Sequence, residues 1–310
     1  MTPIGIAIIG FGKIADDQHV PAIKGNGRFR LLATSSRSGA GPEPGFTDWR
    51  KLIREVEGLE AVAITTPPGP RLEIAAECAA AGLHVLLEKP PAATLGESEH
   101  LRSLADRPGV TMFATWHARH NPAVLAAADL LAGKRIAAME IVWHEDVHKW
   151  HPGQDWIWKA GGFGVFDPGI NAFSIATAIF PGPLFVKSAE LHIPENAETP
   201  IAVGAELASP AAAGKLTCSL DWRRTDGEEW AIAVETTDGL RLRLDDGGGK
   251  LSVNGEPQSC EGMGEYPSIY AHFVDLIDNR RSDLDLRPLR LVADCLLAGR
   301  LCRAAPVERA

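Results

Sequence analysis

The 310-residue chain lacks the features that mark membrane proteins, disulfide-bonded proteins and nucleic-acid-binding proteins. No apolar run approaches the roughly 18 residues that a membrane-spanning helix requires. Its 31 basic and 40 acidic residues give a net charge of -9, which argues against nucleic acid as a partner. The five cysteines are scattered and form no CxxC pair. Neither a disulfide framework nor a zinc cage is therefore expected.

The N-terminus also lacks the basic stretch and the cleavage site of a signal peptide. Together with the cysteine usage, this predicts a cytoplasmic protein that is not attached to a membrane. The rest of the composition is that of a globular protein, with 45% hydrophobic and 23% charged residues. At this length we expect about two domains, with enough apolar residues for the core of a stable enzyme.

The first part of the chain alternates between apparent strands and helices. Short apolar runs without alternation indicate buried parallel strands. The runs are residues 4–9, 29–35, 61–65, 83–88 and 110–115. A capping box at Thr94 and Glu97 starts one of the helices between them. This order predicts an α/β Rossmann domain that binds a dinucleotide, over residues 1–116.

The remaining residues, 117–310, show a different pattern, in which apolar and polar residues alternate along several segments. These segments are residues 139–145, 185–193, 202–207, 215–222, 230–236 and 240–244. A helix over residues 168–180 interrupts them. We predict an α+β domain with a large, mostly antiparallel open sheet. The last helix, about residues 288–303, is expected to pack back across the domains.

A glycine-rich stretch, Gly10-Phe11-Gly12-Lys13-Ile14-Ala15, fits the pattern G-x-G-x-x-A. It follows a predicted strand and opens a predicted helix, which is the context that a dinucleotide-binding loop needs. Gly10 permits the tight turn, and Gly12 lets the backbone approach a pyrophosphate at the N-terminus of the helix. The alternative is an ordinary turn from strand to helix. We expect Gly10, Gly12, Lys13 and Ile14 to bind the cofactor.

The end of the second predicted strand carries no carboxylate. An NAD site usually places Asp or Glu there to hold the adenosine ribose. This chain has Ser36 and Arg37 instead, a hydroxyl and a guanidinium suited to the 2′-phosphate of NADP. The alternative is that Arg37 is an ordinary surface residue and either cofactor binds. The sequence predicts that NADP is preferred and that NAD is also possible.

Three further motifs accompany the glycine loop: TTPP at residues 65–68, EKP at residues 88–90 and GGFGVFDPGIN at residues 161–171. Together they resemble the Gfo/Idh/MocA oxidoreductases over nearly the whole chain. This resemblance implies that Thr66, Pro67, Glu88 and Lys89 contribute to cofactor binding.

Within that family, the most similar branch is that of the bacterial L-arabinose and D-galactose 1-dehydrogenases. The resembling stretches are GKIADDQHVPAI, LEKPPAATLGE, FATWHARH, WHPGQDWIW and GVFDPGINA. The resemblance implies oxidation of an aldose at its anomeric carbon to a lactone, with hydride passing to NAD(P). Two alternatives remain, a polyol or inositol dehydrogenase of the same family and a regulator that senses cofactor or sugar without catalysis.

The segment at 161–171 departs from the general family pattern, because Asn171 stands where the pattern has His. Asn cannot act as a general base, but an anomeric hydroxyl is more acidic than an ordinary alcohol. The resemblance implies that Asp167 takes the O1 proton, that Asn171 orients the sugar and that Lys89 stabilises O1. The alternatives are that Asp167 only caps a helix beginning at Pro168 and that Lys89 forms a surface ion pair.

Residues 144–151, HEDVHKWH, contain many side chains that could bind a metal. Their spacing does not form HExxH, so we expect no metal site and a role in sugar binding instead. The eight tryptophans support this view, because indole rings suit the C–H faces of pyranoses. Some tryptophans are expected in the core or in the interface of a homodimer or higher oligomer. The predicted sugar-binding residues are Lys89, His117, Glu145, Trp150, His151, Asp167, Asn171 and Trp230.

Overall fold

The computed structural model describes residues 2–39 and 41–308. Contacts within the chain divide it into two units, Met1–His117 with Met263–Leu286, and Ala118–Gly262 with Arg287–Ala310. The chain first passes from one unit to the other after His117, one residue from the predicted boundary between residues 116 and 117. The sequence does not predict that residues 263–286 return to the first unit.

The first unit contains a six-stranded sheet in which all neighbouring strands are parallel. Its strands are β1 (Ile4–Ile9), β2 (Phe29–Ser35), β3 (Gly45–Phe46), β4 (Ala61–Ile64), β5 (His84–Glu88) and β6 (Met112–Thr115). Their order in the sheet is β3-β2-β1-β4-β5-β6. The predicted Rossmann domain is confirmed. Of these six strands, β3 alone is not predicted from the sequence, because two residues are too few to form an apolar pattern.

Helices connect these strands. They are a π-helical turn Ala15–His19 and the α-helices Val20–Gly25, Trp49–Glu55, Arg71–Ala80 and Leu95–Ala105. A further α-helix of this unit, Glu265–Asp278, lies in the returning stretch of the chain. The predicted capping box is present, since Thr94 Oγ1 accepts from the Glu97 amide at 3.2 Å and the Glu97 carboxylate accepts from the Thr94 amide at 3.2 Å. Helix Glu265–Asp278 belongs to this unit because its apolar face joins the core of β1 and β2.

The second unit contains a nine-stranded sheet in the order β14-β13-β12-β11-β7-β10-β9-β8-β15. The strands are β7 (Ile136–His144), β8 (Phe185–Pro194), β9 (Ala202–Ala208), β10 (Leu216–Asp221), β11 (Glu229–Thr236), β12 (Arg241–Asp245), β13 (Lys250–Val253), β14 (Glu256–Gln258) and β15 (Gly299–Ala304). All pairs are antiparallel except β7 with β10 and β8 with β15. The prediction of a large, mostly antiparallel sheet is therefore confirmed.

The α-helices of the second unit are Pro122–Leu131, Val147–Trp150, Phe166–Ile179 and Arg287–Ala298. The prediction of a last helix over residues 288–303 is wrong at its end, because the helix stops at Ala298 and the chain continues as β15. Gly299 permits this change, since a Cβ there would lie 1.9 Å from Leu191 Cδ1 on β8. Helix Arg287–Ala298 packs on β8 and on helix Phe166–Ile179.

A similar close approach fixes helix Phe166–Ile179 on the sheet. A Cβ at Gly169 would lie 2.5 Å from Leu220 Cδ1 on β10, so a larger residue there would require the Leu220 side chain to move. Within the ranges 2–39 and 41–308, no helix combines the length and the apolar character that crossing a membrane would require.

Candidate active site

The loop after β1 has the backbone geometry of a phosphate-binding turn. Gly10 adopts φ +99°, and a Cβ there would lie 2.6 Å from the Thr66 backbone nitrogen. The Gly10 amide donates to the Ser35 carbonyl at 2.8 Å, which ties the loop to the end of β2. A Cβ on Gly12 would meet nothing closer than the Gly10 carbonyl, at 3.9 Å. The loop therefore presents an open backbone face where a pyrophosphate could approach.

A cavity of about 440 Å³ lies beside this loop. It is lined by five of the predicted cofactor residues, Gly10, Ser36, Arg37, Thr66 and Pro67, together with Ile9, Phe11, Ser35, Thr47, Trp49 and Pro70. The Thr66 hydroxyl is buried and, within the described part of the chain, has no hydrogen-bond partner. None of the described lining residues is acidic. The residues present thus fit a dinucleotide, with an unsatisfied hydroxyl for one of its polar groups.

Two predicted cofactor residues, Lys13 and Ile14, lie at the start of the first helix and do not line this cavity. The Lys13 side chain is 89% exposed and forms an ion pair with Asp17, one turn along the helix. Ile14 is 39% exposed. Their contribution to cofactor binding stays a prediction.

Glu88, at the end of β5, is the centre of a buried polar network. Its Oε1 accepts from Tyr266 at 2.8 Å and lies 3.1 Å from His19 Nε2, while Oε2 accepts from the Lys89 amide at 2.9 Å. His19 Nδ1 lies 2.8 Å from the Tyr270 hydroxyl. Tyr266 and Tyr270 are the two tyrosines of the chain. The carboxylate of Glu88 is turned into the protein, where it binds the backbone amide of Lys89. The contribution of Glu88 to cofactor binding stays a prediction.

The charge of Glu88 is stabilised inside the unit. Burial by itself would raise the pKa of its carboxyl group. The hydrogen bond and the charge of His19 outweigh this, with help from His117 and Tyr266, and hold the pKa of Glu88 well below its usual range. Burial, together with the charge of Glu88, raises the pKa of Tyr266 far above its ordinary value. Tyr266 therefore remains a hydrogen-bond donor to an ionised carboxylate.

Arg71 joins the TTPP and EKP loops. Its side chain is buried, and its guanidinium donates to the carbonyl oxygens of Thr66, Glu88 and Pro90, with 2.8 Å from Nε to Thr66. The Lys89–Pro90 peptide is cis. The sequence alone does not identify Arg71 as an anchor, although this basic residue directly after Pro70 opens the helix that follows the loop. Lys89 is half-buried between these anchored carbonyls.

His117, at the end of the first part of this unit, is paired with Glu265. The two side chains are 2.8 Å apart, and the imidazole ring stacks on Tyr266 with 5.9 Å between centroids. Burial would lower the pKa of His117, but the hydrogen bond and charge of Glu265 prevail and raise it. The predicted contact of His117 with sugar stays a prediction.

In the second unit, Asp167 and Asn171 occupy one face of helix Phe166–Ile179. From Phe166 to Thr177, all residues except Asp167 and Asn171 are buried, and the side chains of these two are partly exposed. Their spacing of four residues places them one turn apart on the same side. The helix begins at Phe166 with Val165 as its N-cap. The alternative in which Asp167 caps a helix starting at Pro168 is therefore wrong.

His151, which directly follows the short helix Val147–Trp150, approaches Asp167. Its Nε2 lies 3.8 Å from Asp167 Oδ2, and the two side chains are 13% and 17% exposed. The imidazole ring lies 5.0 Å from Trp222, and Nδ1 is 3.5 Å from Gln154 Oε1. The structure thus places the imidazole of His151 beside Asp167, the predicted base, although the two residues are 16 positions apart in the sequence.

Glu145 lies between two indoles. Its Oε1 accepts from Trp222 Nε1 at 3.1 Å and its Oε2 from Trp230 Nε1 at 2.9 Å. The ring of Trp230 is in turn 5.4 Å from Trp150 and 6.0 Å from Trp143. Glu145 is 3% exposed, and its carboxylate orients the indole rings of Trp222 and Trp230. Its predicted contact with sugar hydroxyls stays a prediction.

Six of the eight predicted sugar-binding residues belong to the second unit, and there they lie close to one another. One continuous set of contacts in the second unit joins Trp150, Trp230, Glu145, His151 and Asp167, with Asn171 one helical turn further on. Trp222 completes this set by touching both Glu145 and His151. The sequence does not distinguish Trp222 from the other tryptophans, because no neighbouring residue marks it as part of a site.

Residues 144–151 do not form a metal cluster in the structure. Within the described residues, the group of side chains with metal-binding geometry is Glu190, His192 and Cys302, on the paired strands β8 and β15. Glu190 already forms an ion pair there with Arg300. All five cysteines are free thiols.

Comparison with known proteins identifies the family of this chain. The family model of the Gfo/Idh/MocA oxidoreductases, described as an oxidoreductase family with an NAD-binding Rossmann fold, matches residues 4–115. Galactose 1-dehydrogenase from Pseudomonas fluorescens is 43% identical over 304 residues, which are 96% of this chain and 97% of that protein. The scyllo-inositol 2-dehydrogenase (NADP(+)) of Bacillus subtilis strain 168 is 25% identical over 63% of this chain and 57% of its own length.

Solved structures show the same relationship. The crystal structure of D-galactose-1-dehydrogenase from Rhizobium etli superposes with a TM-score of 0.94 at 43% identity, covering 99% of both chains. A 3-ketoreductase from Actinomadura kijaniata in complex with NADP has a TM-score of 0.79 at 17% identity, covering 98% of this chain and all of that one. At this low identity, the likeness to the 3-ketoreductase shows only that the two chains have the same fold.

Proposed function

Because the chain belongs to the Gfo/Idh/MocA family of oxidoreductases, we propose that it is an aldose 1-dehydrogenase that uses NADP in preference to NAD. Its substrates are pyranoses of the D-galactose and L-arabinose type, and its product is the lactone. The observation that carries this proposal is the 43% identity with a galactose 1-dehydrogenase over 96% of the chain. The polar and aromatic residues of the second unit supply a site of matching chemistry.

Oxidation of an anomeric C–OH group removes one hydride and one proton. The nicotinamide, when bound, supplies the acceptor for the hydride. The chain must then provide for the proton and for the charge on O1. Asp167 is suited to accept the proton, and the ammonium of Lys89 is suited to donate to O1 as negative charge develops. Asn171, on the same helix face as Asp167, can donate to a neighbouring sugar oxygen and hold C1 in position.

Recognition of the sugar rests on the aromatic side chains. Trp150 is 44% exposed and contacts Trp230, whose indole is fixed by Glu145. A fixed indole offers an apolar face to the C–H groups of a pyranose without losing much side-chain entropy on binding. D-Galactose and L-arabinose share the arrangement of ring hydroxyls and differ at the C6 group, so one pocket can accept both.

The preference for NADP rests on the end of β2. Ser36 and Arg37 line the cavity beside the glycine loop, and no described lining residue is acidic. A carboxylate would repel a 2′-phosphate, whereas a guanidinium can form paired hydrogen bonds with it. The cofactor preference and the cytoplasmic location both stay predictions of this proposal, as does a homodimer or higher homo-oligomer.

The second candidate is a polyol or inositol dehydrogenase, which is favoured by the 25% identity with scyllo-inositol 2-dehydrogenase. Asn171 argues against it. A ring hydroxyl that is not anomeric is less acidic, so its oxidation depends more on the His that the family pattern has at this position.

The test is the formation of reduced nicotinamide, followed by absorbance, with NAD and with NADP. The substrates are D-galactose, L-arabinose, D-fucose, D-glucose, D-xylose and myo-inositol. We expect turnover on the first three sugars, faster with NADP, and formation of a lactone that hydroxylamine traps. Turnover on myo-inositol alone would favour the second candidate, and no turnover on any compound despite tight NADP binding would indicate a sensor.

A further inference from the structure

The histidine beside the proposed base Asp167 comes from outside the motif at residues 161–171. Position 171, one helical turn after Asp167, holds Asn. His151 instead reaches Asp167 from a separate segment, with 3.8 Å between Nε2 and Oδ2. We propose that His151 is the second member of the proton-transfer pair: it receives from Asp167 the proton of the sugar O1 and passes it to water. This inference rests on the proposed function.

The surroundings of His151 orient its ring for this role. Trp222, which is 1% exposed, packs against the imidazole at 5.0 Å between centroids. Nδ1 faces the acceptor oxygen of Gln154 at 3.5 Å. A proton on Nδ1 leaves the lone pair of Nε2 directed to the side of Asp167. The distance of 3.8 Å exceeds a hydrogen bond, and catalytic hydrogen bonds are often long before the substrate is bound.

A small cavity lined by His151 offers an exit for the proton. Its volume is about 20 Å³, which is room for a single water molecule. The titratable groups around it are His148 from the preceding short helix, Asp155 from the following turn and Glu308 near the C-terminus. Asp155 and Glu308 are exposed, so a proton that reaches this cavity is in contact with groups that exchange with solvent.

The transfer balances without any further reagent. The C1–H bonding pair leaves as hydride, the O1–H bond breaks, and the electrons of that bond form the C1=O double bond of the lactone. The O1 proton joins the Asp167 carboxylate. It then moves to Nε2 of His151 and from there to water, so Asp167 returns to its ionised form and His151 to its neutral form. Each turnover releases one proton.

The first test is the variant His151→Gln, assayed for oxidation of D-galactose by NADP across pH 5 to pH 9. We expect kcat to fall by about 10²-fold, which is the lower end of the range for proton-transfer groups. We expect kcat of the wild type to rise with pH as His151 becomes able to receive the proton, and we expect this rise to be absent from the variant. Imidazole added to the buffer should restore part of the rate. The control is His100→Gln, an exposed histidine on helix Leu95–Ala105, which should leave all three observations unchanged.

A role confined to sugar contact gives a different result. In that case His151→Gln raises KM and leaves kcat and its pH profile as in the wild type, because only uniform binding is lost. That outcome overturns the inference while the proposed function stands. If the wild type itself oxidises none of the sugars, both proposals fail.

The second test is a double-mutant cycle with Asp167→Asn. When Asp167 cannot accept the O1 proton, His151 has nothing to receive, so His151→Gln should cause little further loss of kcat in that background. Losses that multiply would show that the two residues act independently, and the inference would be overturned. Thermal unfolding of each variant verifies that the comparison is made on folded protein.

Discussion

At the scale of single residues, Arg37 is the side chain on which the proposed preference for NADP depends. It stands exposed at the end of β2 and lines the cavity beside the glycine loop. Ser36 lines the same cavity and carries a hydroxyl that can assist. A hydrogen bond to a charged group contributes about 1.5–3 kcal/mol when both partners are positioned. Such a contribution corresponds to roughly 10- to 100-fold in affinity.

The variant Arg37→Ala should therefore raise KM for NADP by roughly 10-fold or more and change KM for NAD by less than about 3-fold. The reason is that only NADP carries the 2′-phosphate. The measurement is the initial rate with each cofactor at saturating sugar. Arg54→Ala is the matched control, since it removes an exposed arginine from helix Trp49–Glu55 that does not line the cavity. An equal effect on both cofactors would refute the role of Arg37 in phosphate recognition.

At the scale of elements, two segments far apart in sequence hold Glu88 and, through it, Lys89. The π-helical turn Ala15–His19 delivers His19 to Glu88, and π-helical turns are frequent at functional sites. Helix Glu265–Asp278 delivers Tyr266 and Tyr270, which lie four residues apart on one face. Because Glu88 accepts from the Lys89 amide, these elements set the position of Lys89 through a buried, charged network.

Removing one donor from this network should destabilise the unit. Tyr266→Phe deletes a hydrogen bond to an ionised, buried carboxylate and should lower the free energy of unfolding by about 1.5–3 kcal/mol. Tyr270→Phe deletes a bond to an imidazole ring nitrogen and should cost about 1 kcal/mol. The measurement is urea denaturation of both variants and the wild type.

The comparison of the two tyrosines is informative because both are buried and lose the same atom. A larger loss for Tyr270→Phe than for Tyr266→Phe would contradict the view that Glu88 is the charged centre of the network. A lower kcat for Tyr266→Phe at unchanged cofactor affinity would further indicate that the network acts on catalysis through Lys89.

At the scale of the whole molecule, the first unit is made of two separate stretches of chain. The chain leaves it at His117 and returns at Met263. The two crossing points are close together, because His117 contacts Glu265 at 2.8 Å. The returning helix contributes five residues to the core around β1 and β2, namely Tyr266, Ile269, Tyr270, Phe273 and Leu276. Without them, apolar residues such as Ile4 and Phe29 would face water.

This arrangement predicts that residues 1–117 do not fold alone, whereas residues 1–117 joined to residues 263–286 by a short Gly-Ser linker do. The joined fragment retains both the core and the glycine loop, so it should unfold cooperatively and bind NADP. Circular dichroism with heating and titration calorimetry measure the two properties. Cooperative folding and equal NADP binding by residues 1–117 alone would show that the returning helix is dispensable.

Local sequence determined a large part of this protein. Apolar runs placed five strands of the Rossmann sheet, and the glycine loop was recognisable because its function depends on consecutive backbone positions. Asp167 and Asn171 share a helix face because they are four residues apart, a spacing visible in the sequence. In each case the decisive interactions lie within a few residues of one another.

Tertiary structure alone decided the remaining features. The Tyr266 hydroxyl meets Glu88 across 178 positions, and His19 meets Tyr270 across 251. The approach of His151 to Asp167 and the pairing of β15 with β8 likewise depend on which surfaces pack together. Such contacts are set by the burial of apolar faces over the whole chain, and no pattern of neighbouring residues encodes which distant partner a side chain will meet.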